Sequence, residues 1–249
     1  MTASNKMYRY HFLAILTVII WGTTFVSTKV LIGNGLTPVE ILLYRFSLAY
    51  IGIWFFCPRK LLANSWKDEL LFLGAGLCGG SLMALLGVAL VVFNGSFILQ
   101  INPLGDVLTL IAALMWAFYG LILRRLGGRY PTLFITRKVF FYGIVTLIPV
   151  LVISPIHPQI AVLTQPSVIC NLLFLGIIAS LLCYIMWNTA VKELGVVRTT
   201  NYIYVVPLVT LLTSALVIDE TITVVALFGS VFILSGVYMA ERGITFLKK

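Results

Sequence analysis

Long apolar runs alternate with short polar segments along the whole chain. Eight of these runs predict helices, near 11–31, 39–57, 69–93, 104–123, 132–154, 168–190, 198–218 and 222–240. Most have about the 20 residues needed to cross a hydrocarbon core. In lipid every backbone N–H and C=O must be satisfied internally, so helices are the only sensible assignment. The third run is the longest and carries Gly74, Gly76, Gly79, Gly80 and Gly87. The links are short, and several hold turn residues: Asn34-Gly35, Asn102-Pro103, Gly127-Gly128, and Pro155 through Pro166.

Composition agrees with the pattern. Of 249 residues 61% are hydrophobic and 10% charged, with mean hydropathy +1.08. A soluble domain is nearer half apolar and a quarter charged. The expected fold class is therefore all-α: a polytopic membrane helix bundle with no room for a separate soluble domain. The net charge of +9 does not point to nucleic acid, because the basic residues are dispersed. Cys57, Cys78, Cys170 and Cys183 sit in or at the ends of apolar runs, form no CxxC, and read as small apolar residues. No cleavable signal peptide is evident, since Met1 to Tyr10 is polar and the next run is long enough to span.

Charge sets the expected orientation. With the N-terminus in the cytoplasm, the inner segments hold 13 of the 17 cations, among them Lys6, Arg9, Arg124, Arg125, Arg129, Lys192 and Arg198. The outer loops hold none, and Lys29, Arg45, Arg137 and Lys138 fall within the spans. That is the split of the positive-inside rule. It predicts eight helices with both termini inside.

Landmarks recur in order, which argues for an internal duplication. Leu70-Leu71-Phe72-Leu73-Gly74 returns as Leu172-Leu173-Phe174-Leu175-Gly176. Trp21 precedes Lys29 as Trp116 precedes Arg124, and Pro38 precedes Arg45 as Pro131 precedes Lys138. Ala84-Leu85-Leu86-Gly87 resembles Ala226-Leu227-Phe228-Gly229. The last two landmarks lie 14 positions apart in the first copy and 54 in the second. The first copy is thus expected to have lost about 40 residues, more than one spanning helix, with a join near Cys78 to Ala84; the alternative is a copy that was always shorter. This divides the chain into 1–103, an incomplete repeat of three helices, and 104–249, a repeat of five. Odd counts place the two copies inverted in the membrane.

Ionisable groups inside a membrane are costly and are functional candidates by default. Arg45 and Lys138 lie at matching depths in the second and fifth helices. Each is either a cation facing a polar cavity or a long side chain snorkelling to nearby headgroups. Trp21 and Trp116, both mid-span, are expected to face each other, lining a solute path or packing in the core. Tyr119, Asn188, Tyr202 and Tyr204 bring polar groups into helices, for a solute or for helix–helix bonding. Pro207 interrupts the seventh run. Asp219-Glu220 forms an outer turn. No intramembrane acid stands out, because Glu40, Asp106, Asp219 and Glu220 lie near the outer surface.

No enzymatic constellation appears, and no cofactor or metal is expected. His11 and His157 lie on opposite sides of the predicted membrane, and GxSxG, HExxH and phosphate-binding glycine loops are absent. Ile20-Trp21-Gly22-Thr23-Thr24-Phe25, Pro38 with Arg45, Leu114-Met115-Trp116-Ala117, and Pro207 through Asp219-Glu220 to Gly229 and Gly236 together resemble the drug/metabolite transporter superfamily, EamA family. That resemblance covers nearly the whole chain. It implies ten helices in two inverted five-helix copies, and a central cavity lined by the first, third and fourth helices of each. It also implies movement of small metabolites such as amino acids across a bacterial inner membrane. The partners implied are the lipid bilayer and a small-molecule solute, with a homodimer as a further option and no nucleic acid. Glu220 belongs to the motif turn. The chain departs from the family where the lost block would supply cavity-lining helices. A carrier working by alternating access is the first expectation, a truncated family member without transport the second, and a membrane-embedded enzyme the remote third.

Overall fold

The computed structural model describes residues 3–56, 65–81, 103–153, 159–217, 231–232 and 235–236. Among the described residues every regular element is a helix. In chain order they are α1 (Ala3–Gly33), α2 (Pro38–Trp54), α3 (Trp66–Gly76), a π-helical stretch π1 (Leu77–Ser81), α4 (Pro103–Gly127), α5 (Thr132–Ile153), α6 (Ile160–Leu163), α7 (Pro166–Leu173), a second π-helical stretch π2 (Phe174–Leu182), α8 (Cys183–Leu194), α9 (Val196–Asn201), a 3₁₀ turn (Tyr202–Val205) and α10 (Val206–Val217).

Among the described residues five stretches are long and apolar enough to cross a membrane: Met7–Gly33, Leu110–Gly127, Thr132–Ile153, Pro166–Leu194 and Val196–Val217. The α2 helix has 17 residues and α3 has 11, below that length. The rest of the third predicted run, and most of the eighth, lie outside the described residues. So do Glu220 and the later part of the expected join.

Local chemistry explains where the elements begin and end. Thr37 caps α2: its hydroxyl accepts from the Glu40 N–H, the Glu40 carboxylate accepts from the Thr37 N–H, and Pro38 fills the first turn. This capping box satisfies helix donors that lipid cannot. It also buries Glu40. Between α8 and α9 the chain turns at Gly195 with φ +87°, a conformation open mainly to glycine. The seventh predicted run is not one smooth helix. It runs as α9, then the 3₁₀ turn, then α10, with Pro207 as the second residue of α10. Proline lacks the N–H that would continue the ladder, so the break falls just before it.

Along α1, Thr17, Thr24 and Thr28 return their hydroxyl protons to carbonyls one turn back, which hides them from lipid. The α1 helix packs against α8 and α10, α2 against α5 and π2, and α3 against α4 and α5. The Thr210 hydroxyl ties α10 to the Gly22 carbonyl of α1 at 3.0 Å. Phe46, Phe72, Tyr119, Phe134, Phe140 and Trp187 are the large side chains at the centre.

Candidate functional site

Three tryptophans from three helices meet in the middle of the bundle. The rings of Trp21 (α1) and Trp116 (α4) lie 5.6 Å apart, nearly perpendicular. Trp187 (α8) closes a triangle at 5.1 Å from Trp21 and 5.7 Å from Trp116. Tyr119 sits 5.3 Å from Trp116, and Tyr184 sits 5.7 Å from Trp21. The spacing suits edge-to-face and tilted aromatic packing. The expected meeting of Trp21 and Trp116 is present. Trp187 and Tyr184 complete the cluster, although their sequence surroundings read only as part of an apolar run.

Two polar atoms of the cluster are satisfied by unusual backbone. Trp21 Nε1 donates to the Ala179 carbonyl of π2 at 2.9 Å, and the Tyr184 hydroxyl donates to the Gly79 carbonyl of π1 at 2.5 Å. A π turn displaces carbonyls from the regular ladder and offers them to side chains. The Tyr119 ring lies against Gly79, where a Cβ would come within 2.4 Å of it. The Tyr119 hydroxyl donates to Asn188 Oδ1 at 2.9 Å, and Asn188 Nδ2 donates to the Thr136 hydroxyl at 2.9 Å. Tyr119 and Asn188 thus join α4, α8 and α5 through one buried relay.

The two candidate cations have protein partners. Arg45 Nε donates to the Ser180 hydroxyl in π2 at 2.9 Å, and its guanidinium lies 5.8 Å from the Phe46 ring. Lys138 is paired with Glu69 on α3: its Nζ lies 2.7 and 3.0 Å from the two carboxylate oxygens. The Tyr142 hydroxyl also donates to Glu69. Side-chain exposure of 7% for Lys138 and 13% for Glu69 rules out a side chain reaching for headgroups. Lys138 is thus held by a carboxylate inside the bundle, not extended along its surface. Glu69 opens α3, where a carboxylate reads as an ordinary end-of-helix residue. Its partner is remote in sequence, so no local pattern pointed to it. Arg137, next to Lys138, is also buried, with its guanidinium 5.0 Å from the Trp54 ring.

The remaining candidates separate. The Tyr202 hydroxyl bonds His11 Nδ1 at 2.6 Å, tying the 3₁₀ turn to α1. Tyr204, two residues on, points the other way and is 55% exposed, outside the cluster. Pro207 acts on the backbone, as described above.

A cavity of about 560 Å³ opens at one end of α4, α5, α8 and α9. Arg124, Thr132, Asn188, Lys192, Gly195 and Arg198 are among its lining residues. Asn188 therefore stands between this cavity and the tryptophan cluster.

Residues 103–241 match the EamA-like transporter family. An uncharacterized transporter of Archaeoglobus fulgidus is 23% identical over 92% of this chain and 96% of its own. A protein of Escherichia coli named "Probable amino-acid metabolite efflux pump" is 26% identical over 95% of this chain and 96% of its own. A "Probable terminal-alkyne amino-acid exporter" of Streptantibioticus cattleyicolor is 27% identical over 66% of this chain and 53% of its own. The Escherichia coli alignment runs over 286 positions, more than the 249 residues here, so dozens of that relative's positions have no counterpart in this chain. More than half of the chain matches one family, and the chain belongs to the EamA-like transporter family, within the drug/metabolite transporter superfamily.

Proposed function

We propose that the chain is a secondary transporter that moves small polar metabolites, amino acids or their relatives, out of a bacterial cytoplasm by alternating access in the inner membrane. One observation carries this reading. The 560 Å³ cavity ends on Asn188, which the Tyr119 hydroxyl links to a cluster of three tryptophans at the bundle centre. An open entry, a polar relay and an aromatic floor are what a solute path through lipid needs. The names of two relatives, an amino-acid metabolite efflux pump and an amino-acid exporter, support the solute class. In this reading the chain is a carrier and not an enzyme. Both termini are cytoplasmic, and the cavity opens to the cytoplasm. The two copies, 1–103 and 104–249, lie inverted about an axis through the Trp21–Trp116 contact.

A second reading has its own observation. Dozens of positions of the Escherichia coli relative are absent here. A chain lacking cavity-lining helices would be a family member without transport of its own. Reconstitution decides between the two. In proteoliposomes the carrier reading expects exchange of labelled amino acid that the empty vesicles lack. If the chain moves none, and a version with a relative's missing block inserted moves one, the second reading holds.

A further inference from the structure

Two hollows lie at bundle ends rich in cations, and their charge differs. The smaller, about 330 Å³, is lined by Lys67, Arg125 and Arg129 together with Asp68, and Arg129 is ion-paired to that aspartate at 2.8 Å. The larger, about 560 Å³, is lined by Arg124, Lys192 and Arg198, and no Asp or Glu is among its lining residues within the described part of the chain. Glu193 follows Lys192 in the chain but does not line the cavity. The positive-inside rule accounts for cations scattered over one face of the membrane. It does not account for three of them, from α4, α8 and α9, converging on one concave volume with no balancing acid among the described residues that line it.

We propose that this cavity is a binding site for a small solute of net negative charge, a metabolite with one carboxylate more than its ammonium groups balance. The inference rests on the carrier reading only for what the site is used for; binding itself does not depend on it. The volume lies within the roughly 300–1,000 Å³ of small-molecule sites. Charges of one sign around a concave opening raise the local concentration of the opposite ion. Asn188 at the inner end supplies polarity: its amide has two N–H donors, and Thr136 takes one. The mobile-ended Lys192 suits a point-charge contact, and the planar guanidinium groups of Arg124 and Arg198 suit two-point contact with a carboxylate.

A lipid headgroup phosphate could supply the same anionic chemistry, and the test separates the two sources. The full-length protein is placed in nanodiscs of phosphatidylcholine alone. Equilibrium binding of labelled L-glutamate and L-glutamine is measured, two probes of one shape differing by one charge. Glutamate is expected to bind about tenfold more tightly, the effect of two partly exposed ion pairs, and added salt should shrink the difference. The Lys192→Gln/Arg198→Gln double variant should lose the preference, its glutamate affinity falling to that of glutamine. Equal affinities in the unaltered protein, or no glutamate binding, overturn the proposal. So does native mass spectrometry in which phosphatidylglycerol stays bound to the protein, leaves in the double variant, and glutamate never binds. Retained glutamate preference in a protein that fails every exchange assay would leave this site standing and remove the carrier reading instead.

Discussion

The stretches Trp66–Ser81 and Pro166–Leu182 share a sequence landmark and a backbone habit, yet they are held in place differently. Each contains Leu-Leu-Phe-Leu-Gly, and each passes from α- to π-helix, at Leu77 in the first and Phe174 in the second. The first opens with two acids that clamp it to its neighbours: Asp68 to Arg129 and Tyr130, Glu69 to Lys138 and Tyr142. The second carries no charge. It is fixed by close packing and by accepting hydrogen bonds: Gly176 faces Leu48, Trp21 bonds the Ala179 carbonyl, and Arg45 bonds the Ser180 hydroxyl. Both stretches are packed closely and both accept hydrogen bonds, and only the first adds an anchor of charge.

The largest test of that contrast removes the charge anchor. Glu69→Ala would leave Lys138 buried without its counter-ion, and breaking such a pair costs about 3–5 kcal/mol. The midpoint of thermal unfolding in a fixed detergent should fall well below that of the parent. Replacing both partners, as Glu69→Gln with Lys138→Met, should recover most of the loss, since a buried pair is worth little more than apolar packing of similar volume. A Glu69→Ala protein as stable as the parent would mean that α3 is not held by charge.

A subtler test uses the shared glycine. A Cβ on Gly176 would lie 2.6 Å from Leu48 Cβ, whereas one on Gly74 would meet only the end of Ile122 at 3.4 Å. Gly176→Ala should therefore cost about 1–3 kcal/mol through overpacking. Gly74→Ala should be neutral or gain up to about 1 kcal/mol from helix propensity. Paired unfolding midpoints check both. Equal responses would show that the two stretches are packed alike after all.

How much of this was legible beforehand follows from where the deciding contacts lie. Runs of apolar residues announced the helices, and Pro207 marked a break, because those signals act within a few residues. The Trp21–Trp116 contact was legible through matching places in two similar stretches. The Glu69–Lys138 pair was not, since its partners are 69 residues apart and Glu69 reads as an ordinary end-of-helix acid. Nor were the π-helices, whose sequences look like any apolar helix until a tryptophan and a tyrosine claim their carbonyls. Tyr204 lies outside the tryptophan cluster, exposed in the 3₁₀ turn before Pro207.

The smallest expected effect separates exposure from pairing. Asp68 and Glu69 are adjacent, and each holds a cation and a tyrosine, so a count of contacts ranks them equally. Their cations differ: the Arg129 side chain is 53% exposed and that of Lys138 is 7%. Water and salt already solvate Arg129, so Arg129→Ala should cost no more than about 1 kcal/mol, and less as ionic strength rises. Asp68 would keep the Tyr130 hydroxyl at 2.8 Å and the favourable field of the α3 N-terminus. Unfolding midpoints of Arg129→Ala and Glu69→Ala at low and high salt make the comparison. A loss in Arg129→Ala as large and as salt-insensitive as that in Glu69→Ala would mean that both anchors are buried in the membrane-embedded protein, and that the charge clamp on α3 acts as one unit.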